Sequence, residues 1–214
     1  MKIAFNKLTI MLLIGTFIIG CTKIPETTKK QEQKQELNLT GLTQHKLFNG
    51  EAEIALDKNF ERFNIAELIA VAKKQPKTSF INRIFNEEQL QLAEYLGASY
   101  YVFIDTTNYL NIVHLERLDK LMPISKEAAS YIGGLFKKKI QVSDPAANVL
   151  VESAKFGAQP TFTYGYYKMK STSSFLITYS NHYAISSNTA SYILYNISLQ
   201  DHNFSELKNQ ISFR

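Results

Sequence analysis

Apolar and polar residues follow three different rhythms along the chain. Behind Lys2 and Lys7, residues 8–19 form an almost unbroken apolar run of Leu8, Ile10, Met11, Leu12, Leu13, Ile14, Phe17, Ile18 and Ile19. Residues 22–36 reverse this and are almost wholly polar, rich in Lys, Gln, Glu and Thr. From Leu37 onward apolar residues return, with spacings that separate helices from strands. Asn64 precedes Glu67 by three residues and opens a stretch with Leu68, Ile69, Val71 and Ala72 that runs to Lys73-Lys74 before Pro76, predicting a capped helix. Asn86 opens a second, carrying Leu90, Leu92, Ala93 and Leu96 and stopped by Gly97. Ser125 starts a third that reaches Ile140 through Gly133-Gly134. Asp144-Pro145 predicts a fourth, with Val149, Leu150, Val151 and Ala154 as its apolar members and Gly157 closing it.

The strands read as aromatic and β-branched runs. A short strand or hairpin is expected in 37–53, with turn signals at Gly41 and Asn49-Gly50. Residues 100–105 and 110–115 flank a turn at 106–108, and further strands fall at 161–169, 175–179 and 191–199. In the last, Ile193, Tyr195, Ile197 and Leu199 share one face, the pattern of a half-buried antiparallel strand. The expected fold class is therefore α+β: about four helices packed on an antiparallel-rich sheet. Two helices that end on Gly97-Ala98 and Gly157-Ala158 and lead into strand pairs leave a repeated helix–hairpin unit open as an alternative.

Composition narrows the function classes. The 214 residues are 45% hydrophobic, which suits a single domain over 37–214 with a real core. Of the net charge of +5, six lysines against three glutamates lie before residue 37, so the remainder is close to balanced and a nucleic-acid partner is not expected. The one cysteine is Cys21, which has no internal disulfide partner. A charged start and an apolar run too short to span a bilayer comfortably, ending in small residues, read as a secretory signal over 1–20. Residues 21–36 then read as a flexible polar tether, with a short surface helix as the alternative.

Ile18-Ile19-Gly20-Cys21 resembles the lipobox of bacterial lipoprotein precursors. That resemblance implies cleavage before Cys21, a diacylglyceryl group on its thiol and acylation (palmitate among the usual chains) of the new amino terminus. Ile19 departs from the small residue usual at that position. Two or more acyl chains give stable attachment to a membrane without a transmembrane helix. Thr22, where an aspartate would favour the inner membrane, implies an outer-membrane lipoprotein facing the periplasm. The segment Gly157-Ala158, residues 163–167 and residues 175–179 also resemble, faintly, the small domains of FlgO-like and CsgG-like envelope lipoproteins, which implies a role in a secretion or surface-appendage assembly.

Chemistry-bearing patterns are sparse. His45, His114, His182 and His202 have no metal-ligand spacing, so neither a metal nor a cofactor is expected, and His114 reads as a core or edge residue. There is no Gly-x-Ser-x-Gly elbow, and Gly133-Gly134 with Lys137-Lys138-Lys139 lacks the spacing of a phosphate loop. No catalytic residue is assigned. Residues 171–200 carry no charge, and seven of the twelve tyrosines lie between Tyr164 and Tyr195. Tyr164, Tyr166, Tyr179, Tyr183, Tyr192 and Tyr195 are therefore candidates for a protein-contact face, because tyrosine offers area at low entropic cost. An ordinary sheet with aromatic cross-strand pairs is the competing reading. The expected function is a non-enzymatic binding or assembly component of the envelope. A lipid-anchored hydrolase or glycan-processing enzyme, and a peptidoglycan or small-ligand binding module, are the alternatives.

Overall fold

The computed structural model describes residues 41–85, 87–95, 100–107, 109–174, 176–202 and 204–214. The signal-like run, Cys21 and the polar tether lie outside the described residues, as do Asn86 and Gly97, the expected cap and stop of the second helix.

The fold is α+β, with four helices on antiparallel sheets. The strands are β1 (Leu42–Leu47), β2 (Ala52–Asp57), β3 (Phe60–Phe63), β4 (Tyr100–Asp105), β5 (Asn111–Arg117), β6 (Asn148–Gln159), β7 (Phe162–Thr172), β8 (Ile177–Ser187), β9 (Ser191–Ser198) and β10 (Ile211–Phe213). The helices are α1 (Ile65–Lys74), α2 (Phe80–Ile84), α3 (Glu87–Tyr95) and α4 (Lys126–Ser143). Seven strands form one sheet in the order β3-β4-β5-β9-β8-β7-β6, and β1-β2-β10 form a second. Every pairing is antiparallel.

Each face of the large sheet has its own core. On one face Phe103, Val113, Leu115, Tyr166, Tyr183, Ile185, Tyr192 and Leu194 meet Leu47, Ile54, Leu56, Ile211 and Phe213 of the small sheet. The other face is shared by two groups of helices. Leu68, Ala72, Phe80, Ile81 and Leu90 of α1–α3 cluster with Val102, Ile104 and Ile112. Ala129, Ile132 and Phe136 of α4 cluster with Val149, Tyr167, Met169 and Ala184. Strand alternation sends successive residues to opposite layers, so Tyr166 and Tyr167 belong to different cores.

Local signals set most boundaries. Asn64 accepts from the Glu67 N–H at 2.9 Å while the Glu67 side chain accepts from the Asn64 N–H at 2.8 Å, a complete capping box on α1. Ser125 caps α4 by accepting from the Ala128 N–H. The β1–β2 reversal uses the left-handed conformation at Asn49 and Gly50 (φ 57° and 91°). The far end of α1 is closed by a residue from α2. Asn82 Nδ2 donates to the carbonyls of Ala72, Gln75 and Pro76 at 2.9, 3.0 and 3.0 Å. Replacing Asn82 with Ala leaves these acceptors without their donor and is expected to cost about 1–3 kcal/mol, read as a lowered urea midpoint with unchanged slope.

The predicted fourth helix is not formed. Asp144 is the C-cap of α4, and its carboxylate and carbonyl accept from the N–H groups of Ala146 and Ala147, so Asp144-Pro145 is an exit turn. Residues 148–159 form the edge strand β6, paired with β7 along its length and bulged between Val151 and Ser153. Val149 and Val151 satisfy a two-residue period as well as a helical one, and β7 supplies the pairing that selects the strand. The helix–hairpin unit expected around Gly157-Ala158 is therefore absent, and with it the repeat. Helix α2 and strands β3 and β10 were not expected, while β8 runs eight residues beyond Tyr179.

Candidate functional site

Five of the six candidate tyrosines belong to the face that packs on the small sheet. Tyr166, Tyr183 and Tyr192 are buried. The Tyr166 hydroxyl donates to Asn181 Oδ1 at 2.7 Å, and the Tyr183 hydroxyl donates to the Phe204 carbonyl at 2.7 Å. Tyr192 lies 4.5 Å from Phe213 and 5.5 Å from Phe48, centroid to centroid. Tyr164 is half-buried across from Gly157, where a Cβ would come within 2.5 Å of its ring. Tyr179, also half-buried, carries Lys170 Nζ 5.6 Å above its ring. Tyr166, Tyr183 and Tyr192 are thus withdrawn from the expected contact face, because their rings are buried in the core against the small sheet. The uncharged composition of 171–200 has the same cause, since Asn181, Asn196 and Ser191 are buried and bonded to neighbouring strands and loops.

Tyr195 is the exception. It lies on the helix side of β9, opposite His114 of β5 and His182 of β8 in the ladder. Tyr100, His114, Tyr195, His182 and Phe136 form an aromatic row across the sheet, with neighbouring centroids 4.7, 4.6, 5.9 and 4.8 Å apart. This row crosses the seam between the two helical groups. Ile193 of β9 packs with the α4 cluster, Ile197 and Leu199 pack with the α1–α3 cluster, and Tyr195 belongs to neither. All four stay half-buried although β9 is hydrogen-bonded on both sides. A central strand covered by a continuous helical layer would be buried along its whole face.

The seam is electrically unusual. His114 is buried with neither ring nitrogen hydrogen-bonded, and His182 is buried with Nδ1 unbonded and Nε2 2.9 Å from Ser180 Oγ. Desolvation first, then the charge of Lys139, pushes both imidazoles down from 6.5 to about 3, so both are neutral at physiological pH. Burial likewise pushes the Tyr195 hydroxyl well above the usual phenol range. Lys139 reaches over the row from α4, its Nζ 5.9 Å from the Tyr195 centroid. At physiological pH both imidazoles and the Tyr195 phenol are uncharged, and Ser180 Oγ stands within hydrogen-bond distance of His182 Nε2. Among the described residues no group of three His, Cys, Asp or Glu is placed to hold a metal.

Lys139 also fixes which side of α4 borders the seam. Leu135 lies one turn before it, Tyr131 two turns before, and Val142 nearly one turn after. Tyr131 is 57% exposed and Val142 72%, with Leu135 half-buried. The signal for this stripe in the sequence is an apolar set on α4 out of phase with the buried Ile132 and Phe136 and the partly buried Ile140.

This arrangement of layers has a counterpart among solved structures. No family model matches the chain, and neither does the sequence of any curated protein. The chain shares its fold with cyanobacterial PsbP (CyanoP) from Synechocystis sp. PCC 6803. The two superpose with a TM-score of 0.52 at 10% identity, over 89% of this chain and 99% of that one. A second structure, the Ran-binding protein Mog1p of Saccharomyces cerevisiae, gives a TM-score of 0.44 at 8% identity over 82% and 85% of the two chains. No helix among the described residues is long and apolar enough to cross a membrane.

Proposed function

We propose that this chain is a non-enzymatic binding or assembly component of the bacterial cell envelope, held at the outer membrane by lipid on Cys21 and binding through the seam beside α4. The observation that carries the binding role is the half-buried central strand β9, flanked by an exposed apolar stripe on α4. This reading assigns the exposed Val142 and half-buried Leu135 and Tyr195 to a partner's contact surface. The placement rests on the lipobox-like Ile18-Ile19-Gly20-Cys21 and on the polar residues 22–36, long enough to let a domain stand off a membrane.

Growth on radiolabelled palmitate tests the anchor. The unaltered chain is expected to incorporate label, to begin at Cys21 when mature and to fractionate with outer membranes. Cys21→Ser is expected to take up none and to keep residues 1–20. Absence of label from the unaltered chain removes the anchor and the envelope placement together. The binding role has its own test: benzoylphenylalanine at Val142 is expected to crosslink one envelope protein reproducibly, while the same probe at exposed Asn188, away from the seam, does not.

A further inference from the structure

We infer that the seam between α4 and β9 receives an amphipathic helix of a partner protein, its apolar face on Leu135, Val142 and Tyr195 and its acidic flank toward Lys138 and Lys139. This rests on the binding role proposed above and names the form and charge of what binds.

The form follows from hydrogen bonding. Strand β9 is paired on one edge with β5 and on the other with β8, so the seam offers side chains and no free backbone edge. A partner arriving as an extended strand would desolvate its own N–H and C=O groups with nothing to bond them. A helix satisfies its backbone internally and presents only side chains, which is what a groove of this kind accepts. Tyr131, Leu135, Lys139 and Val142 are spaced by four, four and three residues. They line about 16 Å of α4, roughly three turns of a partner helix laid alongside.

The charge follows from what the α4 side leaves unmatched. Lys138 and Lys139 are exposed, and no carboxylate among the described residues pairs with either of them. Lys139 already overhangs the aromatic floor. Glu116 of β5, whose charge acts on Tyr195, lies on the side of β9 away from β8 and α4, so the partner's acidic flank belongs over α4. The buried, unbonded nitrogens of His114 and His182 lie below this surface and supply neutral donors and acceptors to a polar side chain that reaches past Tyr195.

Two synthetic helices about five turns long serve as probes, both with leucines three and four residues apart, one flanked by Glu and one by Lys. Fluorescence anisotropy against the detergent-solubilised full chain is expected to show the Glu peptide binding at least about tenfold more tightly than the Lys peptide at low salt, the gap narrowing as salt rises. Val142→Asp, at a position exposed enough to leave folding untouched, and Lys139→Glu are each expected to weaken the Glu peptide about tenfold. Equal binding of the two peptides, or binding indifferent to both substitutions, overturns the inference. So does a crosslink from Val142 that maps to an extended segment, a lipid or a second copy of this chain. In those cases the crosslink still upholds a binding role for the seam, whereas loss of any seam-specific crosslink removes that role as well.

Discussion

Lowering the pH from 7 to 5 is expected to destabilise the fold by about 4 kcal/mol, about 2 for each of His114 and His182. Both imidazoles have a folded-state value near 3 against 6.5 for the free side chain. Between those values the unfolded chain binds protons that the folded chain refuses. The stability they contribute is complete above about pH 6.5, falls as the pH drops through that value, and stops falling near pH 3. Ser180 Oγ, 2.9 Å from His182 Nε2, offers a neutral hydrogen bond, and the charge acting on both rings is the like charge of Lys139. Tyr100 and Tyr195 present ring edges and faces to His114, Phe136 stacks on His182, and Lys139 repels a second positive charge from above. The charge of Glu116 on β5 acts on Tyr195 in the same row. His45, with a smaller depression caused by burial and by Arg62, adds in the same direction. Urea midpoints at pH 7 and pH 5 measure the effect, and His114→Phe with His182→Phe is expected to remove most of the difference. An unchanged midpoint in the unaltered protein would show that the row opens to water or finds a counter-charge.

Adjacent glycines in α4 are expected to respond with opposite sign. Gly133 faces Tyr167, where an added Cβ would stand 2.8 Å from Cε1 and 2.9 Å from Cδ1. Tyr167 cannot swing aside easily. It is 2% exposed, its ring meets Phe136 at 5.5 Å, and its hydroxyl donates to the Ala129 carbonyl one turn earlier on the same helix. Gly133→Val forces α4 and β7 apart and is expected to cost about 2–4 kcal/mol through overpacking and the loss of that bond. Gly134 has nothing within 4 Å of the same position, so Gly134→Ala is expected to gain about 1 kcal/mol from helix propensity alone. Thermal or urea unfolding of the pair decides this directly. A loss at both positions, or at neither, would mean that α4 does not seat on Tyr167.

Close approach of glycine to tyrosine recurs on β6 and β7. Gly157 admits the Tyr164 ring, and Gly165 admits the Tyr167 hydroxyl. The run Tyr164-Gly165-Tyr166-Tyr167 is therefore a packing device that seats rings on both faces of the sheet, which explains why so many tyrosines end in the interior. Desolvation pushes the Tyr167 hydroxyl up to about 12, consistent with a phenol that only donates a hydrogen bond.

What the sequence determined by itself is local. Asn64 with Glu67 and Ser125 with Ala128 act within one turn, so the starts of α1 and α4 were readable from a few residues. The alternation of Ile193, Tyr195, Ile197 and Leu199 marked β9 as a strand with one half-buried face, because the two-residue period is a property of the backbone. The tertiary structure decided what lay over those faces. Residues 148–159 fit either period until β7 pairs with them, and Asp144-Pro145 changes from a helix start to a helix exit accordingly. Tyr166, Tyr183 and Tyr192 could have been surface or core, and only the small sheet, built from residues 42–57 and 211–213 at opposite ends of the described chain, made them core. The seam has the same origin. Tyr131, Leu135 and Val142 read as an ordinary part of an amphipathic helix until Lys139 is found above Tyr195, because which side of a helix meets which strand depends on contacts between residues more than fifty positions apart.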